Sequence, residues 1–231
     1  MSTKVFKNPT MKLSVLLLFL STSLSSFSQN DEFMVWTGVG VRGDIIKKTD
    51  WVLDLNTRFD NEGVATLFPQ VGVEFKPFKW LKTSLEYRLL VDKNKYGNYK
   101  SSNRLNFNLS GKTSVHRFSL GVRLRYQYGF TSLSASDTYD ADFDQAFRFK
   151  PSVSYDIKKS IFVPIMSAEF FYNPSLGKDG RQFSKVRLAV GTKLDFKGPH
   201  GASIKYQLDK KLHNYEAGVR HVISIGYEYK L

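Results

Sequence analysis

A chain of 231 residues in which 42% of side chains are apolar and 15% aromatic is too apolar to stay disordered and too short for more than one or two domains. With no cysteine, it has no disulfides, no thiolate metal sites, no thiol nucleophile and no lipidated N-terminal cysteine. Its 34 Lys and Arg against 21 Asp and Glu leave a net charge of +13, which raises the question of an anionic partner.

The first element is a signal peptide over residues 1–28. Met11-Lys12 precede the apolar run Leu13 to Leu20, and a small-residue stretch ends in Ser26-Phe27-Ser28. This is the order of regions a signal peptidase reads, with Gln29 as the first mature residue. A membrane anchor would need roughly 20 apolar residues, far more than this run supplies. Met1 and Met11 both fit as the start. Cleavage removes Lys4, Lys7 and Lys12 and no acid, so the mature chain, 29–231, keeps a charge of +10 in a single domain.

Beyond the signal every apolar run is interrupted within a few residues, and alternation takes its place. Segments near 34–42, 51–59 and 65–76 alternate irregularly. Leu81 to Val91 is cleaner, with Leu81, Thr83, Leu85, Tyr87, Leu89 and Val91 on one parity and Lys82, Ser84, Glu86 and Arg88 on the other. A period of two puts one set on each face of a β-strand. After a weaker segment at 103–111, Phe118, Leu120, Val122, Leu124, Tyr126, Tyr128 and Phe130 oppose Gly121, Arg123, Arg125 and Gln127. Segments near 147–157 and 161–172 follow, and then Val186 to Phe196 sets Val190 and Leu194 against Arg187, Gly191, Lys193 and Asp195. A stretch at 201–208 leads to the last strand, where Ile223, Ile225, Tyr227 and Tyr229 oppose Arg220, Ser224, Gly226 and Glu228. No segment shows a helical period, so the fold class is all-β.

The connections fall into two alternating classes. Short turns are expected at Lys76 to Lys79, Gly111 to His116, Asp156 to Ser160 and Lys197 to His200; long polar loops at Asp92 to Ser102, Thr131 to Asp142, Asn173 to Gly180 and Asp209 to Asn214. Such sorting is the habit of a transmembrane antiparallel up-and-down β-barrel in the outer membrane. Alternation alone would equally suit a soluble barrel with an apolar interior. Three features place the apolar parity outside instead. Glycines Gly121, Gly191 and Gly226 sit on the charged parity, aromatics gather near strand ends, and the chain finishes on an aromatic-rich strand. Eleven segments alternate, whereas single-chain bacterial barrels have even numbers. About 10 to 12 strands are therefore expected: ten if the first segment does not span, twelve if one long segment hides two.

The runs Phe33-Met34-Val35-Trp36-Thr37-Gly38-Val39, Ser84-Leu85-Glu86-Tyr87-Arg88, Arg123 to Tyr128, Ala168-Glu169-Phe170-Phe171-Tyr172 and Gly226-Tyr227-Glu228-Tyr229 resemble the domain-of-unknown-function family numbered 2490, over about residues 30 to 231. The resemblance implies an outer-membrane barrel of Bacteroidota and carries over no activity and no site residue. That location implies outer-membrane lipid and lipopolysaccharide as surroundings, and the barrel-assembly machinery as a partner during insertion.

With the apolar faces outward, the lumen would hold Arg88, Arg104, Arg123, Arg125, Arg148, Lys150, Arg187, Lys193, Lys205 and Arg220 against Asp54, Glu74, Glu86, Glu169, Asp195 and Glu228. Such a lining suits a small pore for an anionic solute, or a barrel plugged by its own ion pairs, since so few strands leave little room. The expected role is non-enzymatic. A lipid-modifying hydrolase would need a serine beside a histidine base; of His116, His200, His213 and His221, the last falls on the outer face while Ser224 falls on the inner. The acidic stretch Leu133 to Asp144 suggests a surface-loop interaction protein, but lacks the glycine and terminal glutamate of a calcium loop. Lys and Arg form no stripe with stacking aromatics, so nucleic acid is not an expected partner. No catalytic, cofactor-binding or metal-ligating residue is assigned.

Overall fold

A computed structural model describes residues 31–94, 96–130, 145–175, 180–213 and 218–231. The signal segment, 1–28, and the acidic stretch up to Asp144 lie outside the described residues. Eleven strands follow in order: β1 (Glu32–Ile46), β2 (Thr49–Asp60), β3 (Gly63–Phe78), β4 (Leu81–Lys93), β5 (Tyr99–Val115), β6 (Phe118–Phe130), β7 (Gln145–Tyr155), β8 (Phe162–Asn173), β9 (Gln182–Asp195), β10 (His200–Lys211) and β11 (Val219–Lys230). Each alternating segment of the sequence lies on one of them.

Consecutive strands pair antiparallel, and the sheet closes on itself where β1 meets β11. That closing pair is parallel, running from Glu32 opposite Arg220 to Arg42 opposite Lys230. The choice between ten and twelve strands is thus resolved by neither. Eleven strands close because one seam gives up the antiparallel pattern, and closure leaves no free edge. In consequence β1 starts at one rim and β11 ends at the other.

The rim at the end of β11 carries connections of two, two, two, six and four residues. Lys48 and His116 adopt φ of +68° and +55° there, the left-handed backbone that two-residue hairpins need. The opposite rim carries connections of five, fourteen, eight and seven residues, with the two-residue turn between Asp60 and Gly63 as its exception. Pairing runs further than alternation does. β5 continues in unbroken register through Val115, past the expected turn at Gly111, and β3 through Phe78, past the one at Lys76, after a register shift between Phe75 and Phe78. Backbone bonds extend a hairpin wherever strands stay in register, whereas a period of two appears only where the two faces meet different surroundings.

The faces are inside-out relative to a water-soluble protein. Leu85, Leu120, Val190 and Ile225 point away from the lumen and are 58%, 47%, 50% and 48% exposed. Among the described residues the enclosed side chains comprise six apolar and thirteen polar or charged ones, with Glu169 only 1% exposed. Rings gather toward both rims: Phe78 stacks on Trp80 and Phe118 tilts against Tyr155 at one, while Tyr128 stacks on Phe130 near the other. No helix among the described residues is long and apolar enough to cross a membrane.

Candidate functional site in the barrel lumen

Parity alone delivers the charged side chains to the lumen, and there they pair across it. Glu169 on β8 accepts from Arg148 on β7 and, two strands away, from Arg123 on β6, at 2.9 and 2.7 Å. Arg187 on β9 stands 3.9 Å from the same carboxylate and grips Asp209 on β10 with both ends of its fork, while Lys185 lies 3.8 Å from Asp209. A second cluster joins Arg125 on β6 to Glu86 on β4 at 3.1 Å, with Asn108 between them donating to Glu86 at 2.8 Å. A third centres on Arg42 of β1, which bonds Glu228 and reaches Glu74 of β3 at 3.4 Å, while Lys82 meets Glu74 at 2.7 Å. These pairs offset the several kcal/mol per ion that leaving water unpaired would cost.

Half of the expected lumen residues join these clusters, and two of the others sit at the rims. Arg220 pairs with the exposed Glu32 beside the long loops, and Asp195 accepts the backbone N–H of Lys197 in the opposite turn. Arg42, Arg58, Lys185 and Asp209 are lumen charges that the expected list left out. Their parity marks them, but their segments alternate poorly at the ends.

Three inward aromatics also escaped notice, and they tie the lumen together. Phe68 on β3 lies under the guanidinium carbons of Arg88 and Arg58, at 4.5 and 4.9 Å. Trp36 on β1 lies under Arg58 and Arg187, at 4.5 and 4.7 Å. Phe171 on β8 carries Arg148 at 4.5 Å, Lys185 at 4.3 Å and Arg187 at 5.5 Å. β1 and β9 are not neighbours in the wall, so the contact between Trp36 and Arg187 bridges the lumen. Together these contacts make a chain of cations and rings from β4 round to β7. Cation–π contacts gain strength once desolvated, to about 2 kcal/mol or more. The clue in the sequence was that Trp36, Phe68 and Phe171 share parity with Arg42, Glu74 and Glu169.

Nearer the short-turn rim the charges separate. Asp54, Glu74, Glu86 and Glu228, with Arg42, line a cavity of about 120 Å³. Lys150, Lys193 and Lys205 stand on β7, β9 and β10 with no ion pair among the described residues. At Gly191, opposite Lys205, an added Cβ would run into the carbonyl oxygen of Ile204, so this lumen glycine lets the neighbouring strand approach.

The histidines lie outside the lumen network. His221 meets the Tyr206 hydroxyl at 2.6 Å on the outer face, and His200 meets that of Tyr227 at 2.7 Å. Ser224 is on the opposite parity of β11 from His221, so the two do not face each other. No group of three or more His, Asp or Glu with metal-holding geometry occurs among the described residues.

A search of curated proteins finds no match to this chain. A family model does match, over residues 33–216, which takes in β1 through β10 and stops just short of the strand that closes the barrel. With four-fifths of its length covered in that way, about 184 residues of 231, the chain belongs to the family described as protein of unknown function (DUF2490).

Proposed function

We propose that this protein is a non-enzymatic β-barrel of a bacterial outer membrane, with a lumen narrowed almost to closure by its own side chains. The observation that carries the reading is the outward apolar face around the circumference, exemplified by Leu85, Leu120, Val190 and Ile225, set against an ion-paired interior. Leaving one such side chain in water rather than burying it forgoes about 1.5–3 kcal/mol; in hydrocarbon that cost vanishes. Strands of 11 to 17 residues meet or exceed the roughly 9–11 that a tilted strand needs to cross. The aromatic rims match the belts that mark membrane interfaces. With the end of β11 in the periplasm, the long loops face outward, toward lipopolysaccharide. Fractionation tests the reading: recovery in detergent-extracted outer membranes, with heat-modifiable gel migration, is expected. Recovery as a soluble periplasmic protein overturns it.

The surplus of lumen bases favours one second reading, a narrow pore that prefers small anionic solutes. Lys150, Lys193 and Lys205, free of ion pairs among the described residues, are what support it. Conductance steps above background in planar bilayers would establish it over the closed barrel.

A further inference from the structure

In the long-loop half of the lumen one arginine of the ladder has no hydrogen-bond acceptor among the described residues. Arg58 lies two residues inside the end of β2, opposite Trp36 on β1 and Thr66 on β3. Its guanidinium leans on the rings of Trp36 and Phe68. A stacked guanidinium still turns its N–H groups outward in its own plane, where they need acceptors. The other arginines of the ladder have them: Arg187 has Asp209, Arg148 has Glu169 and Arg88 has the Gln70 amide oxygen at 2.5 and 2.9 Å. No hydrogen bond or ion pair holds Arg58 among the described residues, and its Nε is enclosed without a partner.

The surroundings sharpen the deficit. Arg88, Arg104 and Arg187 all repel Arg58, with Asp92 opposing them, and Asp92 already accepts from Thr66 at 2.7 Å. The Trp36 indole N–H beside it is also enclosed and unbonded. One rung deeper on β5, below Arg104, the fully buried Asn106 amide is unbonded at both ends. Among the described residues no acceptor carrying negative charge bonds this guanidinium. Water could take up an N–H but would not offset several guanidiniums held together. Arg58 and Arg88 are half-buried, so solvent in the lumen reaches them.

We propose that Arg58, flanked by Arg88 and Trp36, forms an anion site just inside the long-loop rim, taking a small oxyanion, carboxylate or phosphate, in the plane of the Arg58 guanidinium. The planar fork matches two oxygens of one anion, the strongest pairing this side chain makes. The site rests on the charge layout of the folded barrel and not on which membrane holds it, so it stands or falls separately from the cellular location.

Trp36 is the reporter. With Trp51 and Trp80 replaced by Phe, tryptophan fluorescence of the full chain in detergent micelles is followed as inorganic phosphate, and separately acetate, is added at an ionic strength fixed with sodium chloride. A saturable change with at least one anion is expected. Saturation at lower phosphate than acetate identifies a phosphoryl ligand, and the reverse a carboxylate. Arg58→Gln should raise the half-saturating concentration at least about tenfold, with Arg58→Lys, which keeps the charge but loses the fork, in between. Heat-modifiable migration checks that each variant folds. If the single-tryptophan chain or Arg58→Gln does not fold, calorimetry on the native chain and on Arg58→Lys makes the same comparison. An unsaturable response to both anions, or a half-saturation indifferent to residue 58, overturns the site.

Discussion

Arg187 meets Asp209 through both sides of its fork, Nε to Oδ1 and Nη2 to Oδ2, each at 2.6 Å. The pair clips β9 to β10 inside the lumen, where the Asp209 side chain is 3% exposed. Removing one member strands the other. Asp209→Ala is expected to cost about 3–5 kcal/mol of folding free energy, whereas Asp209→Leu combined with Arg187→Met, which removes both charges, should cost clearly less. Urea unfolding in lipid vesicles measures the two. Equal losses would mean that the carboxylate is not compensating an enclosed cation.

Surface inversion gives a second test, in which the same kind of change has opposite consequences on the two faces. Leu120→Arg, close to the rim that Phe118 marks, and Val190→Arg, at mid-strand, put a charge on the outward band, which costs about 2–4 kcal/mol near the middle of a bilayer and about 0–1 kcal/mol near its interface. Lys205→Gln on the inward parity of β10 removes a cation that has no ion pair among the described residues, and should change stability little. Refolding yield and urea midpoint in vesicles read both. Arginine tolerated at 120 and 190 would remove hydrocarbon from the outer face.

That each strand has two unlike faces was legible in the alternation of residues such as Leu120 and Arg123, and which face turns outward was legible only in Gly121, Gly191 and Gly226 on the charged parity and in the aromatics near strand ends. Strand existence followed from the same alternation. What was not legible depended on partners distant in sequence. The parallel seam pairs Trp36 with Ser224, and nothing local to β1 says that its neighbour is the last strand. The odd strand count looked like an error to be repaired, since an even count follows only if every pair is antiparallel. Phe171 reads as one more apolar residue among Phe170 and Tyr172; only the parity of Glu169 separates it from them. Nothing in the sequence singles out Arg58, and its want of an acceptor among the described residues emerges only once the lumen is closed around it.

Topology is open to cysteine labelling because the chain has no cysteine of its own. Asn61 is exposed in the turn between β2 and β3 at the long-loop rim, and Lys158 is exposed between β7 and β8 at the opposite rim. A membrane-impermeant maleimide added to intact cells should label Asn61→Cys and leave Lys158→Cys untouched until the outer membrane is permeabilised. The reverse pattern would turn the barrel over, and equal labelling would mean that the wall separates no compartments.

The ring-and-cation ladder predicts how the lumen is closed. Trp36 and Phe171 are the rungs through which Arg187 reaches from β9 to β1 and β8, and Phe171 alone carries three cations. Truncating both to Ala takes away the rings while leaving the arginines, which should withdraw toward their carboxylates Glu169 and Asp209. The native barrel is expected to show no conductance steps in planar bilayers, and the double variant to show discrete steps whose reversal potential in a salt gradient favours anions, because the bases left behind outnumber the acids. Losing a buried aromatic side chain costs roughly 3–5 kcal/mol, so the milder Trp36→Leu with Phe171→Leu serves if the alanine form does not fold. Steps in the native barrel would show that the ladder does not close it. Silence in both variants would assign closure to the ion pairs of Glu169 and Glu86 instead.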